Sequence, residues 1–337
     1  MQGKRANRNA NVQRRHDIIT WPLYVLLVLM LALYILFQRV AYISLVAGIL
    51  VVVLIVALLV IEIANASMQK KGRVRNIAEI VLGIAIVVAL WFGLQAVLAT
   101  SHPLDVVPSC SMLPYLQRGD MILLQGVHNI SQIKAPVVDV TQEQVAALEQ
   151  NLSRESLECV AYLSTPAGTY VSQFVRQGYS VGLLYSSSSG SEIVPGSFQD
   201  GNLVRYTCGT TSVIFTNGTI MQEAYTKSIT IGNTTITGDA NNTVLVYGTV
   251  PGDLFYSYGD AYIVHRVYAV LRTSSNYYVL TKGDNNPGLD LQYGNYPANS
   301  SEVQGKVIAS IPYLGYLKLA ISGSFTEPTG CNYTTQG

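Results

Sequence analysis

The sequence predicts a membrane-anchored protein, with N-terminal transmembrane helices followed by a mainly β domain that carries a large, partly β insertion. Three observations lead there. Residues 18–100 contain long apolar runs broken only by short polar stretches. Basic charge is concentrated in the same third: residues 1–100 carry a net +7 and the remainder −6, although the whole chain is only +1. From Val160 onward the chain is rich in Val, Ile, Thr and Tyr and is punctuated by Gly, Asn and Ser turn signals, the pattern of strands and hairpins. Charged residues make up 12% of the chain and mean hydropathy is +0.30; membrane insertion accounts for both.

Residues 1–17 are a basic tail with Lys4, Arg5, Arg8, Arg14 and Arg15, read as cytoplasmic. Three transmembrane helices are expected over about 18–37, 40–61 and 77–100, each long enough to cross ~30 Å of hydrocarbon. Lys70, Lys71, Arg73 and Arg75 lie between the second and third. By the positive-inside rule this loop shares a side with the tail, so everything after Thr100 lies outside the cytoplasm. The expected location is the plasma membrane, multi-pass, with the endoplasmic reticulum membrane as the alternative. The basic charges flank apolar runs, so they are a topology signal, and no nucleic-acid partner is expected.

Residues 101–130 lead through a Ser-rich turn into a strand at Met121–Leu124. Thr141 to about Glu158 reads as a helix: Thr141 and Gln144 form a capping box, and Val145, Leu148 and Leu152 share a face. Residues 131–250 are read as an inserted subdomain, with a type I′ turn at Asn217-Gly218. Residues 101–130 and 251–320 form the main β domain, and 321–337 a loose tail. N-x-S/T sequons at Asn129, Asn151, Asn217, Asn233, Asn241, Asn299 and Asn332 agree with an extracytoplasmic domain. The four cysteines show no C-x-x-C spacing, so no metal site is expected. Cys159 and Cys208 are read either as a disulfide or as free buried thiols, and Cys331 has no assigned role.

The chemistry-bearing residues gather in three stretches. Pro108-Ser109-Cys110-Ser111-Met112-Leu113-Pro114 places small residues in a turn between two prolines, closed by Arg118-Gly119-Asp120. Ile263-Val264-His265-Arg266-Val267 holds a histidine in a strand, and Thr281-Lys282-Gly283-Asp284-Asn285-Asn286 is followed by Asp290. A hydroxyl becomes nucleophilic when a base takes its proton, and the base needs a third group to hold its tautomer. Ser111, His265 and either Asp290 or Asp284 are the residue types for those roles. Cys110 is a rival nucleophile and Lys282 a rival base.

Taken together, these stretches resemble the type I signal peptidases of the archaeal and endoplasmic-reticulum branch. Ser109-Cys110-Ser111-Met112-Leu113-Pro114 with Gly119-Asp120 is similar to the family's first box. Ile263 to Val267 is similar to the second, and Thr281 to Asn286 with Asp290 to the third. Gly305-Lys306-Val307 and Ile311 to Tyr316 are similar to its closing segment. The resemblance implies a signal-peptidase-like β fold and a membrane-bound serine endopeptidase that removes signal peptides from exported pre-proteins. It implies Ser111 as nucleophile, His265 as general base, Asp290 as the first choice to orient His265, and Asp284 as a second acid. Ser109 and the Ser111 amide would hold the oxyanion, and Met112 would line the pocket for a small side chain. No cofactor is implied. Expected partners are signal peptides, membrane lipid and, as an open option, export machinery. The long spacing from Ser111 to His265 departs from the family, and the excess maps to residues 131–250. The competing readings are a non-enzymatic glycosylated surface protein and an inactive peptidase homologue used for binding.

Overall fold

The computed structural model describes residues 20–33, scattered helical positions between 36 and 61, 73–151, the short stretches 162–165, 168–171, 185–186 and 197–200, then 203–218, 220–324, 328 and 330–336. In chain order its elements are α1 (Arg73–Leu98), β1 (Leu104–Val106), β2 (Met121–Gln125), β3 (Val137–Asp139), α2 (Gln142–Asn151), β4 (Tyr162–Thr165), β5 (Gly168–Val171), β6 (Tyr185–Ser186), β7 (Ser197–Asp200), β8 (Val204–Phe215), β9 (Ile220–Ile231), β10 (Thr234–Thr237), β11 (Val244–Gly248), α3 (Leu254–Ser257), β12 (Tyr262–Arg272), β13 (Tyr277–Lys282), β14 (Ala298–Asn299), β15 (Val303–Ile311), α4 (Tyr316–Ile321) and β16 (Tyr333–Gln336). The chain forms two compact units. One comprises Met1–Val97, Gly119–Met121 and Ile311–Gly323; the other Leu98–Arg118, Ile122–Ser310 and Ser324–Gly337.

In the first unit, residues 20–33 are helical and α1 follows. Among the described residues no helix is long and apolar enough to cross a membrane. This corrects the expectation of N-terminal transmembrane helices, and with it the multi-pass assignment to the plasma membrane or the endoplasmic reticulum. The expectation rested on the lengths of three separate apolar runs, 18–37, 40–61 and 77–100, whereas crossing requires a helix that is both long enough and apolar enough. Helix α1 opens on Arg73, Arg75, Asn76 and Glu79. Nearly half of the expected 40–61 span lies outside the described residues.

The second unit is mainly β. Its larger sheet has the order β1-β2-β15-β11-β12-β13-β14. The long strand β12 organises it. Its N-terminal half pairs with β11 from Arg266–Val244 to Tyr262–Gly248, and its C-terminal half pairs with β3 in parallel at Val270–Val137 to Arg272–Asp139. On its other edge β13 begins at Arg266–Lys282. Strands β3 and β11 fall inside the range read as the insertion, yet both belong to this sheet. Val244-Leu245-Val246-Tyr247 is buried at every position, as suits a central strand covered on both faces. A search for alternating hairpin strands does not single out such a run.

The second sheet has the order β10-β9-β8-β16, with β6 on β9 and β7 on β8. Strands β8 and β9 form a twelve-residue hairpin. Its connection spans 216–219. The Gly218 amide bonds Phe215 at 2.8 Å, and Gly218 has φ 84° whereas Asn217 does not have positive φ. The expected type I′ turn, which needs both central residues at positive φ, is therefore not formed. Val204, Tyr206, Ile229 and Ile231 of this sheet pack with Tyr268, Ala269, Leu271 and Leu280 of the larger one. Helix α2 closes the same core with Val145 and Leu148. Its capping box is as expected: Thr141 Oγ1 accepts from the Gln144 amide at 3.2 Å, and Gln144 Oε1 from the Thr141 amide at 2.8 Å. Leu152 lies outside the described residues. The C-terminal segment, expected to be loose, contributes β16, which pairs with β8.

Candidate active site

The Ser turn sits on its own apolar floor. Val107, Met112, Leu116, Ile122 and Leu124 pack with Val244 and Val246 of β11. The Leu113 amide bonds Cys110 O at 3.2 Å and the Leu116 amide bonds Met112 O at 2.9 Å, with a cis peptide at Leu113-Pro114. The Arg118 guanidinium bonds Pro108 O at 3.1 Å and Ser324 O at 2.7 Å, tying both ends of the segment. Met112, expected at a substrate pocket, is 1% exposed within this floor. It supports the turn from beneath, because an apolar side chain two residues inside a prolyl turn gains more from burial than from water. Ser109 and Ser111 stay half-buried at the surface.

His265 projects from β12 opposite Leu245. It is 3% exposed, and its Nε2 lies 2.9 Å from Ser111 Oγ. Its Nδ1 lies 2.7 Å from Asp290 Oδ2. An ionised carboxylate can only accept, so Nδ1 carries the ring proton and Nε2 presents its lone pair to the Ser111 hydroxyl. The Phe255 ring meets the imidazole edge-on, 6.0 Å between centroids.

Asp290 is 2% exposed and begins a short 3-10 helix, Asp290–Tyr293. Its Oδ2 also accepts from Tyr247 Oη at 2.8 Å and from Thr281 Oγ1 at 2.6 Å. Its Oδ1 is buried without a hydrogen-bond partner. Three donors on one oxygen, each charge-assisted, fix the carboxylate in the plane the imidazole needs. Burial and the neighbouring carboxylate push the Tyr247 phenol well above its ordinary range, so it remains a donor. The Asp290 carbonyl accepts from Asn295 N and Nδ2, both at 3.1 Å, and Asn295 Oδ1 accepts from the Phe255 amide at 2.9 Å. The second sheet supports this loop too: the Thr226 amide bonds Pro287 O at 2.8 Å and Thr226 Oγ1 bonds Gln292 Oε1 at 2.8 Å.

Asp284 does not reach His265. Its carboxylate forms a two-pronged pair with Arg266, Nε to Oδ1 and Nη2 to Oδ2, both at 2.8 Å. Arg266 Nη1 also bonds the carbonyls of Ala240 and Asn242 at 2.6 and 2.7 Å, and the guanidinium lies 4.5 Å over the Tyr115 ring. Lys282 Nζ bonds Gly283 O at 3.1 Å, and the residue lines a cavity of about 660 Å³ together with Arg266, Asp284, Tyr115 and Lys227. Ser111, His265 and Asp290 are not on that cavity's wall.

Ser109 Oγ lies 3.2 Å from Ser111 Oγ, a hydrogen bond in which either hydroxyl can donate. Cys110 is paired with Cys331 in a disulfide, which removes it as a rival nucleophile. Cys208 is also disulfide-bonded, and Cys159 lies outside the described residues.

Sequence reasoning assigned no role to Tyr247, Thr281, Asn285 or Cys331. A buried Tyr in an otherwise apolar strand signals a hydrogen-bond partner, and that clue was present for Tyr247. Asn285 reads locally as a turn former, and nothing near Cys331 points to Cys110. No family model matches this chain, and no curated protein or solved structure matches it either.

Proposed function

We propose that this protein is a serine endopeptidase acting on signal peptides of exported pre-proteins, with Ser111 as nucleophile and His265 as general base. The single observation that carries the reading is the hydrogen-bonded chain Ser111 Oγ to His265 Nε2 at 2.9 Å and His265 Nδ1 to Asp290 Oδ2 at 2.7 Å. Three segments far apart in sequence supply it. A structural histidine needs neither a nucleophile on one nitrogen nor a triply held carboxylate on the other.

As Ser111 Oγ attacks the scissile carbonyl, its proton passes to Nε2, and Asp290 stabilises the resulting imidazolium. The carbonyl oxygen becomes an oxyanion, which takes hydrogen bonds from the Ser109 hydroxyl and the Ser111 amide; one such donor is typically worth ~3 kcal/mol. When the tetrahedral species collapses, Nε2 returns the proton to the departing amine. Water then repeats the sequence on the acyl ester: His265 takes a proton from it, and Ser111 leaves with that proton. The signal-peptide assignment rests on the resemblance of the three boxes. It implies a small side chain before the cut.

The test is to incubate purified protein with a pre-protein in detergent and identify the new N-terminus, alongside labelling by a fluorophosphonate. Cleavage after a small residue, and labelling on Ser111, are both expected to vanish in Ser111→Ala. Cleavage retained by that variant, or absent from the parent, overturns the proposal.

A further inference from the structure

The Ser turn is held from the side by chain that follows it in sequence by more than 170 residues. The Asn285 amide donates to Ser111 O at 2.7 Å. Asn285 Nδ2 donates to Cys110 O at 3.2 Å, Gly330 O at 3.3 Å and Tyr333 O at 3.1 Å. Its Oδ1 accepts from Thr335 N at 2.8 Å and from Thr335 Oγ1 at 3.3 Å. Asn285 is 2% exposed, so water does not compensate for these bonds when they are lost. The approach is close: a Cβ on Gly283 would stand 2.8 Å from Ser111 O.

A covalent link runs parallel to these bonds. Cys110, directly before Ser111, is joined to Cys331, 221 residues away. Beyond Cys331 the chain enters β16, where Tyr333 to Gln336 pairs with Phe215 to Ser212 of β8 and the Tyr333 ring packs against Phe215. One asparagine therefore bonds the candidate nucleophile Ser111, its preceding neighbour Cys110, and the segment that the disulfide ties to them.

We infer that Asn285 and the Cys110–Cys331 disulfide are positioning residues. Together they form a brace through which the C-terminal segment 330–336 sets Ser111 against His265. Its catalytic consequence rests on the proposed peptidase reading; its mechanical content does not. The geometry gives the reason: Ser111 lies in an irregular turn with no strand pairing of its own, so nothing regular fixes its Oγ to the few tenths of an ångström that proton transfer requires. A misplacement of about 1 Å costs on the order of a hundredfold in rate.

Two variants separate the brace from general stability. Asn285→Asp keeps the side chain's shape but turns its donor toward three carbonyls into an acceptor. Cys110→Ala with Cys331→Ala removes the covalent link. Amide hydrogen exchange of residues 108–114 is measured in both, with β12 amides as the internal reference, and kcat and KM are measured after counting active sites by fluorophosphonate labelling. Exchange at 108–114 is expected to quicken by tenfold or more while β12 is unchanged, the mark of local opening. The kcat should fall roughly 10–100-fold with KM within about twofold. Unchanged exchange at 108–114 overturns the brace, whatever the activity. Equal acceleration at β12 also overturns it, since the role is then merely structural. Local acceleration with unchanged kcat overturns the positioning role. If the parent shows neither cleavage nor labelling, the peptidase reading fails, and the exchange measurement still decides whether the brace exists.

Discussion

The two faces of β12 at His265 and Arg266 put the same pair of residue types, a base and an aspartate, to opposite uses. His265 faces Asp290, and the pair ends on a hydroxyl at the surface of a turn. Arg266, the next residue, faces Asp284 and two backbone carbonyls, and the pair ends on a cavity wall. Both aspartates come from the segment after β13, six residues apart. The strand's period of two assigns them to different faces. On one face the carboxylate meets a group whose proton can move; on the other it meets a guanidinium that never releases one. A carboxylate near a site is thus a candidate acid only on the evidence of what it touches.

The largest expected effect separates the two faces directly. Asp290→Asn should lower kcat on the order of 10⁴-fold, because the amide lets the imidazole settle in the wrong tautomer. A loss under tenfold would mean that the His265 face is no more catalytic than the Arg266 face. By contrast, Asp284→Asn should change kcat less than tenfold and reduce folding stability by about 1–3 kcal/mol, since it leaves a largely buried guanidinium short of its partner. Urea denaturation set beside a rate measurement checks both halves of that statement. An Asp284 variant that unfolds like the parent but is catalytically dead would reverse the comparison.

A smaller effect is expected within the His265 face. Tyr247→Phe deletes one of the three donors on Asp290 Oδ2 and should slow turnover only several-fold, near 1 kcal/mol, with KM unchanged. The smallest is an alkaline one. The Tyr247 phenol is raised well above its ordinary value by burial, so above about pH 10 the unfolded chain releases this proton before the folded one does. The contribution is complete below that pH and is lost as pH rises. In Tyr247→Phe the fall of stability with alkaline pH should be shallower, as read from denaturation midpoints between about pH 9 and 11. An identical slope in variant and parent would remove the tyrosine from that account.

How much of this was legible differs by element. The strands around His265 and the helix beginning at Gln142 follow from local pattern, because apolar periodicity and a capping box act within a few residues. The membership of β11 in the larger sheet did not, since a short run without period-two alternation does not declare its neighbours. The expectation of transmembrane helices over 18–37, 40–61 and 77–100 rested on the lengths of apolar runs, which do not by themselves establish a spanning helix, and among the described residues no helix is long and apolar enough to cross a membrane. For the candidate site, the residue types in the three boxes were visible and the resemblance put Asp290 ahead of Asp284, but the local residues did not decide which carboxylate orients His265. Met112, read as a pocket residue, is instead under the turn, a matter of which way one side chain points.

By itself the sequence determined the local chemistry: a small-residue turn carrying Ser111, a histidine in a β strand, and a loop with two aspartates. Those follow from backbone preference and from the pKa and donor inventory of each side chain, which belong to single residues. Only the tertiary structure decided that Asp290 holds the imidazole while Asp284 holds Arg266, and that Cys331 reaches back to Cys110. The physical reason is that hydrogen bonds and disulfides depend on separations of about 2–3 Å. For segments 150 or more residues apart, those separations are set by the joint packing of both sheets rather than by any local stretch.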